Sequence, residues 1–195
     1  MLHPAPVGIL GRWEREQKRA VDYEPGLIST IGKDLYAQLL DVTKRNLLLA
    51  ELDFNNTVEP DGYSPVITYL AAGYEHELKA RIVRPLAQSL KNDGHREYPQ
   101  GCNSRPILHN GVSNERLTIG DVLKRLDSDR SLQGRISSRN IDVKQLMNTA
   151  GKFNILRNVG VHSGLVTRQD AEEVRDMIIS QSSILRCLFP GRLVP

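Results

Sequence analysis

Along most of this chain the apolar residues return every three or four positions, the spacing that lines one side of a helix, and no stretch alternates apolar with polar long enough to make a convincing strand. From about Thr30 to Leu52, Ile31, Leu35, Leu39, Val42 and Leu49 keep that rhythm. Leu40, Leu47 and Leu48 widen the stripe, which predicts one long, deeply packed helix. The turn-rich NNTVEPDGYSP ends it, and Ser64 followed by Pro65 has the form of an N-cap and first helical position. Beyond them Leu70, Tyr74, Leu78, Ile82, Leu86 and Leu90 make an unbroken four-residue ridge that runs to Gly94, a C-terminal cap. Pro85 lacks an N–H and crowds the preceding turn, so a kink or two abutting helices are expected there.

Periodicity disappears between about His95 and Leu117, where Pro99, Gly101, Pro106 and Gly111 predict an irregular connection. Asn110-Gly111 is a hairpin dipeptide, but alternating strands do not flank it, so no hairpin is expected. Thr118 and Asp121 cap a short helix, GDVLKRL. DSDRSLQGRISSRN then reads as a polar loop holding Arg130, Arg135 and Arg139, either a solvated linker or a loop that contacts phosphates. A further helix starts near Ile141, with Leu146, Ala150 and Phe153 on its inner side. Thr167 and Asp170 cap the last one, lined by Ala171, Val174, Met177, Ile178, Ile184, Leu185 and Leu188 up to Pro190. The expectation is an all-α bundle of four to five main helices: a domain over residues 27–195, preceded by an arm, residues 1–26, whose Trp13 packs on the body.

Composition agrees with one globular helical domain: 195 residues, 39% hydrophobic, 25% charged and 5% aromatic. Charge adds a direction. Residues 1–100 carry 12 Lys/Arg against 14 Asp/Glu, and residues 101–195 carry 14 against 9, so a polyanion would prefer the second half. Cys102 and Cys187 belong to no CxxC or Cys/His cluster, and reduced structural thiols are expected. Neither a leader nor a membrane span is recognisable, and a cytoplasmic location is expected by elimination. Glu75, His76 and Glu77 could assist proton transfer, since carboxylates tune a nearby histidine, but they read better as a charge run on a solvent face. P-loop, Gly-x-Gly and GxSxG patterns are missing.

Chemistry concentrates in Arg157-Asn158-Val159-Gly160-Val161-His162. At about 100° per residue, Asn158 stands near 100° and His162 near 140° from Arg157, so the three polar groups share one arc of a helix. Asn158 and His162 are one turn apart, close enough for the amide to orient the imidazole. A histidine that titrates near neutrality and a guanidinium that binds phosphorane oxygens suit cleavage of RNA through its own 2′-hydroxyl, a reaction that calls for no metal or cofactor. The same residues also make an ordinary helix end, with His162 as a C-terminal cation and Gly164 as cap. The bare Arg-x4-His spacing is expected about 0.5 times by chance in such a composition.

The segment RNVGVHSG, between an amphipathic helix and the Thr-capped TRQDAEEVRDMI, resembles the HEPN (higher eukaryotes and prokaryotes nucleotide-binding) superfamily, and LTIGDVLKRL is similar to the middle of several of its branches. The resemblance covers roughly residues 64–189. It implies a HEPN-like helical bundle working as a homodimer, and an endoribonuclease site of the R-x4-H type formed by Arg157 and His162 with Asn158 beside them. RNA would be the substrate, and the protein a toxin or phage-defence effector under an inhibitor or activating partner. In one branch a tyrosine two residues after the histidine is adenylylated; here that position is Gly164, which argues against such control. Inactive members imply the alternative, a non-catalytic helical module that binds nucleotide, nucleic acid or a protein partner.

Overall fold

Gly32 and Leu39 divide what the apolar stripe predicts as one helix. A computed structural model describes residues 19–98, 105–163, 165–180 and 182–189, the side chains of residues 159–163 excepted. In it a 3-10 turn (Val21–Tyr23) leads into α1 (Glu24–Ile31), α2 (Lys33–Gln38) and α3 (Asp41–Asn56). Gly32 has φ 94°, a conformation glycine reaches without strain, and Leu39 and Leu40 are extended. Ile31, Leu35, Leu39 and Leu49 are nonetheless all buried, while Val42 lies at the surface. Residues 19–26, within the expected arm, are mostly helical and Ala20 is buried. Trp13 lies outside the described residues.

The ridge from Leu70 to Leu90 is buried at all six of its positions. It runs through α4 (Ser64–Leu78), a π turn (Lys79–Val83) and α5 (Arg84–Asn92), and Gly94 follows with φ 86°. A four-residue spacing on an ideal α-helix drifts about 40° per step, which would carry the ridge about 200° around the axis over five steps. The π turn takes an extra residue and offsets about half of that drift, which keeps the row facing the core. It ends just before Pro85, which has no N–H for the Arg81 carbonyl four residues back. Arg139 Nη1 donates to that carbonyl instead, at 2.8 Å.

The irregular connection contains the hairpin that the sequence argued against. β1 (Leu108–His109) pairs antiparallel with β2 (Val112–Ser113), and Asn110 and Gly111 take φ 51° and 73° at the turn. The strands are two residues long, too short to show alternation, so the turn dipeptide was the better signal. Residues 127–140 also depart from expectation. α6 (Ile119–Ser128) is followed at once by α7 (Arg130–Ser137). Asp129 caps α7 by accepting the Ser131 and Leu132 N–H groups at 2.9 and 3.2 Å, and Leu132 and Ile136, one turn apart, bury its inner side. Two apolar residues amid polar ones were enough. α8 (Val143–Ser163) and α9 (Arg168–Ile179) follow, and both Thr-x-x-Asp capping boxes form as predicted. α9 stops at Ile179, short of Pro190, and a 3-10 turn (Ile184–Leu188) carries the remaining apolar residues into the core.

The chain is thus mostly helical, with one two-stranded sheet among the described residues, and α4 packs against α3, α8 and α9. No helix among the described residues is long and apolar enough to cross a membrane. Two ion pairs tie these layers. Arg175 on α9 grips the buried Glu51 of α3 with two hydrogen bonds of 2.6 and 2.9 Å. Fully buried Glu77 accepts the Leu40 N–H at 2.6 Å and Arg81 Nε at 3.2 Å, while Arg81 Nη2 donates to the Gln38 carbonyl at 2.6 Å. Two backbone groups freed by the break between α2 and α3, the Gln38 carbonyl and the Leu40 N–H, are therefore paired.

Two core substitutions should act in opposite directions. Glu77→Ala leaves the Leu40 N–H and Arg81 without their acceptor and should cost about 3 kcal/mol in urea unfolding. The Tyr74 hydroxyl is buried with no hydrogen-bond partner among the described residues, and burial pushes its pKa far up. Tyr74→Phe should therefore be neutral or stabilise by about 1 kcal/mol. A loss of more than about 1 kcal/mol in the phenylalanine variant would mean that the hydroxyl is bonded after all.

Candidate active site on helix α8

α8 owes its orientation to Leu146, Ala150 and Phe153, all fully buried. Phe153 meets Tyr74 of α4 edge to face, with ring centroids 5.3 Å apart. Arg157 lies one turn beyond Phe153 and Glu75 is the residue after Tyr74, so the aromatic contact brings the guanidinium and the carboxylate together at the margin of the core. Arg157 Nη2 stands 3.4 Å from Glu75 Oε1, and Nη1 donates to Asn158 Oδ1 at 3.1 Å. The two charged side chains are 23% and 19% exposed.

The Arg157–Glu75 contact is ionic without being an aligned hydrogen bond. Glu75 Oε1 and Arg157 Nε are both buried atoms lacking a hydrogen-bond partner among the described residues. The carboxylate lies against the guanidinium, and Nε, itself buried, has no acceptor among the described residues. The helix backbone continues without a break through His162 to Ser163, although the His162 side chain lies outside what is described. The chain then turns back. Val166 is buried, its N–H donates to the Asp61 carbonyl at 3.4 Å, and its carbonyl accepts the Tyr63 N–H at 3.2 Å, which ties the segment after the motif to the start of α4.

The three arginines of residues 127–140 are not gathered at this site. Arg135 bonds Ser89 at 2.6 Å and pairs with Asp93 at 2.5 Å, and Arg139 is committed to the Arg81 carbonyl. Arg130 is exposed at the start of α7. Cys187 is a free thiol whose pKa burial raises, and Cys102 lies outside the described residues.

Glu75 is the residue beside Arg157 that the sequence leaves among solvent-face charges, and the solvent-face reading fails for Glu77 as well. With Tyr74 on the ridge at zero, Glu77 stands about 60° away, Glu75 about 100° and His76 about 160°. Glu77 is accordingly buried, Glu75 marginal and only His76 exposed. The angular position of each residue against the ridge carried that signal, and the composition of the run hid it.

If Glu75 positions Arg157, the two should be coupled energetically. Arg157→Ala strands a partly buried carboxylate and should destabilise the fold, whereas Glu75→Ala/Arg157→Ala should cost less than the two single changes added together, by about 0.5–1 kcal/mol in a double-mutant cycle. Strict additivity would show that the contact has no energetic content. Compared with known proteins, the chain matches no family model, no curated protein and no solved structure.

Proposed function

We propose that this chain is a metal-independent endoribonuclease of the HEPN-like, R-x4-H type, in which Arg157 and His162, with Asn158 beside them, cleave RNA by attack of its own 2′-hydroxyl. One observation carries the reading: Arg157 is held at the edge of the core by Glu75 and Asn158, with Nε unpaired among the described residues, on a helix whose backbone continues to His162. A guanidinium fixed in advance stabilises the phosphorane without reorganising during the reaction. His162 takes the proton from the 2′-hydroxyl as the O2′–P bond forms. A second imidazole returns a proton to the 5′-oxygen as its bond to phosphorus breaks.

One protomer supplies a single motif histidine, so the reading includes a homodimer in which a second copy provides the other imidazole across a two-fold axis. Ile155 and Leu165, 66% and 70% exposed, flank the motif and are the apolar residues such a contact would cover. A role as toxin or phage-defence effector, with an inhibitor or activating partner, rests on the resemblance of RNVGVHSG and its surroundings to the superfamily. The second reading, a non-catalytic module that binds nucleotide, nucleic acid or protein, is favoured by the same ion pair, because Glu75 already neutralises much of the charge of Arg157.

The variants separate the two readings. His162→Ala should lower the rate of RNA cleavage by about 10²–10⁴-fold, and Arg157→Lys, which keeps the charge facing Glu75 but loses the planar fork, should lower it with little change in thermal stability. Wild-type chains mixed with an excess of His162→Ala chains should lose activity per wild-type chain, because a mixed dimer keeps only one of the two imidazoles. A loss of less than tenfold in the His162 variant would leave the binding-module reading.

A further inference from the structure

α8 contains no Asp or Glu in 21 residues and α7 none in eight. From Arg130 to Ser163 the sequence has Arg130, Arg135, Arg139, Lys144, Lys152 and Arg157 against Asp142 alone. Asp142 is used at the start of α8, where its carboxylate accepts the Gln145 N–H at 2.9 Å. Arg135, Arg139 and Arg157 have the partners given above. Arg130, Lys144 and Lys152 remain, all exposed, with no ionic partner among the described residues.

These three are not scattered. Arg130 and Lys144 both line a groove of about 670 Å³ between α7 and α8, together with Gly134, Val143, Met147 and one carboxylate, that of Asp142. A side chain on Gly134 would meet nothing within 4 Å, so the floor is open to a bulky group. On α8, Lys144, Asn148, Gly151, Ile155 and His162 fall within about 40° of one line, and Lys152 lies about 80° from it. The face therefore leads from the groove to the position of His162, about 27 Å at 1.5 Å per residue, with Arg157 about 140° around the helix from it.

We propose that the groove between α7 and α8, together with the face of α8 as far as Lys152, holds the phosphodiester backbone of the RNA strand on one side of the cleavage point. This rests on the ribonuclease reading and extends it to substrate binding. Three cations without an ionic partner among the described residues, set against the single carboxylate of Asp142, leave the groove and the adjoining face net positive, which attracts a polyanion. At the stacked rise of a nucleic-acid strand, 27 Å corresponds to about eight nucleotides, and to fewer if the strand is stretched. RNA fits this half of α8 better than a second protein copy does, because an interface between copies needs an apolar centre, and the exposed apolar residues Ile155 and Leu165 stand at the motif end.

The test uses the full chain, wild type and the triple variant Arg130→Gln/Lys144→Gln/Lys152→Gln, with a fluorescent single-stranded 12-mer of 2′-O-methyl RNA, which cannot be cut through a 2′-hydroxyl. Anisotropy titrations at several salt concentrations should show affinity falling about tenfold or more in the variant. The plot of log K against log salt should become shallower by about 2, since each cation removed from a single-strand contact accounts for about 0.7.

An unchanged salt slope, or no binding of the 12-mer by the wild type, overturns the groove. A variant that keeps the slope but changes its sedimentation assigns the face to a second copy and overturns it equally. Should the wild type bind the 12-mer through these cations yet cleave no RNA, the chemical reading fails and the groove stands. If it cleaves RNA and the slope does not move, the groove alone fails.

Discussion

Backbone groups released where a helix breaks must find partners, and in this fold charged side chains take them. Arg186 donates to the Ile31 carbonyl ahead of Gly32, Glu77 accepts the Leu40 N–H, Arg81 takes the Gln38 carbonyl, and Arg139 takes the Arg81 carbonyl opposite Pro85. An unpaired buried backbone group costs roughly 1–3 kcal/mol. These contacts let a sequence interrupted at Gly32, Leu39 and Pro85 remain a bundle, and they hold α4 in the register that presents Tyr74 to Phe153 and so Glu75 to Arg157.

The same accounting sorts the cations. Arg139 and Arg135 sit in a polar, Arg-rich stretch that by composition suits phosphate binding, yet the fold gives both of them intramolecular partners. Arg157 is shared between a carboxylate and an amide, which orients it at some cost in free charge. The cations left over, Arg130, Lys144 and Lys152, lie along one groove and one helix face, so the basic character of the second half of the chain becomes a directional surface.

How much of this the sequence disclosed depended on what each residue signals locally. The two Thr-x-x-Asp boxes and the Leu70–Leu90 ridge were legible, because capping and helical period act within a few residues. The breaks at Gly32 and Leu39 were not, since the apolar stripe runs on through them and only the tertiary partners Glu77 and Arg81 make the interruption affordable. α7 was hidden behind its polar composition, and the hairpin at Asn110-Gly111 by strands too short to alternate. At the candidate site, the helical spacing put Arg157 and Asn158 on neighbouring positions, and their side chains are hydrogen-bonded. The pairing of Glu75 with Arg157 was not legible, because it depends on α4 packing against α8, a contact between residues 82 positions apart.

The proposed chemistry is cleavage of RNA by its own 2′-oxygen, assisted by Arg157 and His162. It is tested most directly by the end groups on RNA incubated with the purified full chain in EDTA. The account predicts fragments that carry a 2′,3′-cyclic phosphate and a 5′-hydroxyl, and none from RNA with a 2′-deoxy residue at the cut position. Fragments ending in a 3′-hydroxyl and a 5′-phosphate, formed only when Mg²⁺ is restored, would contradict it.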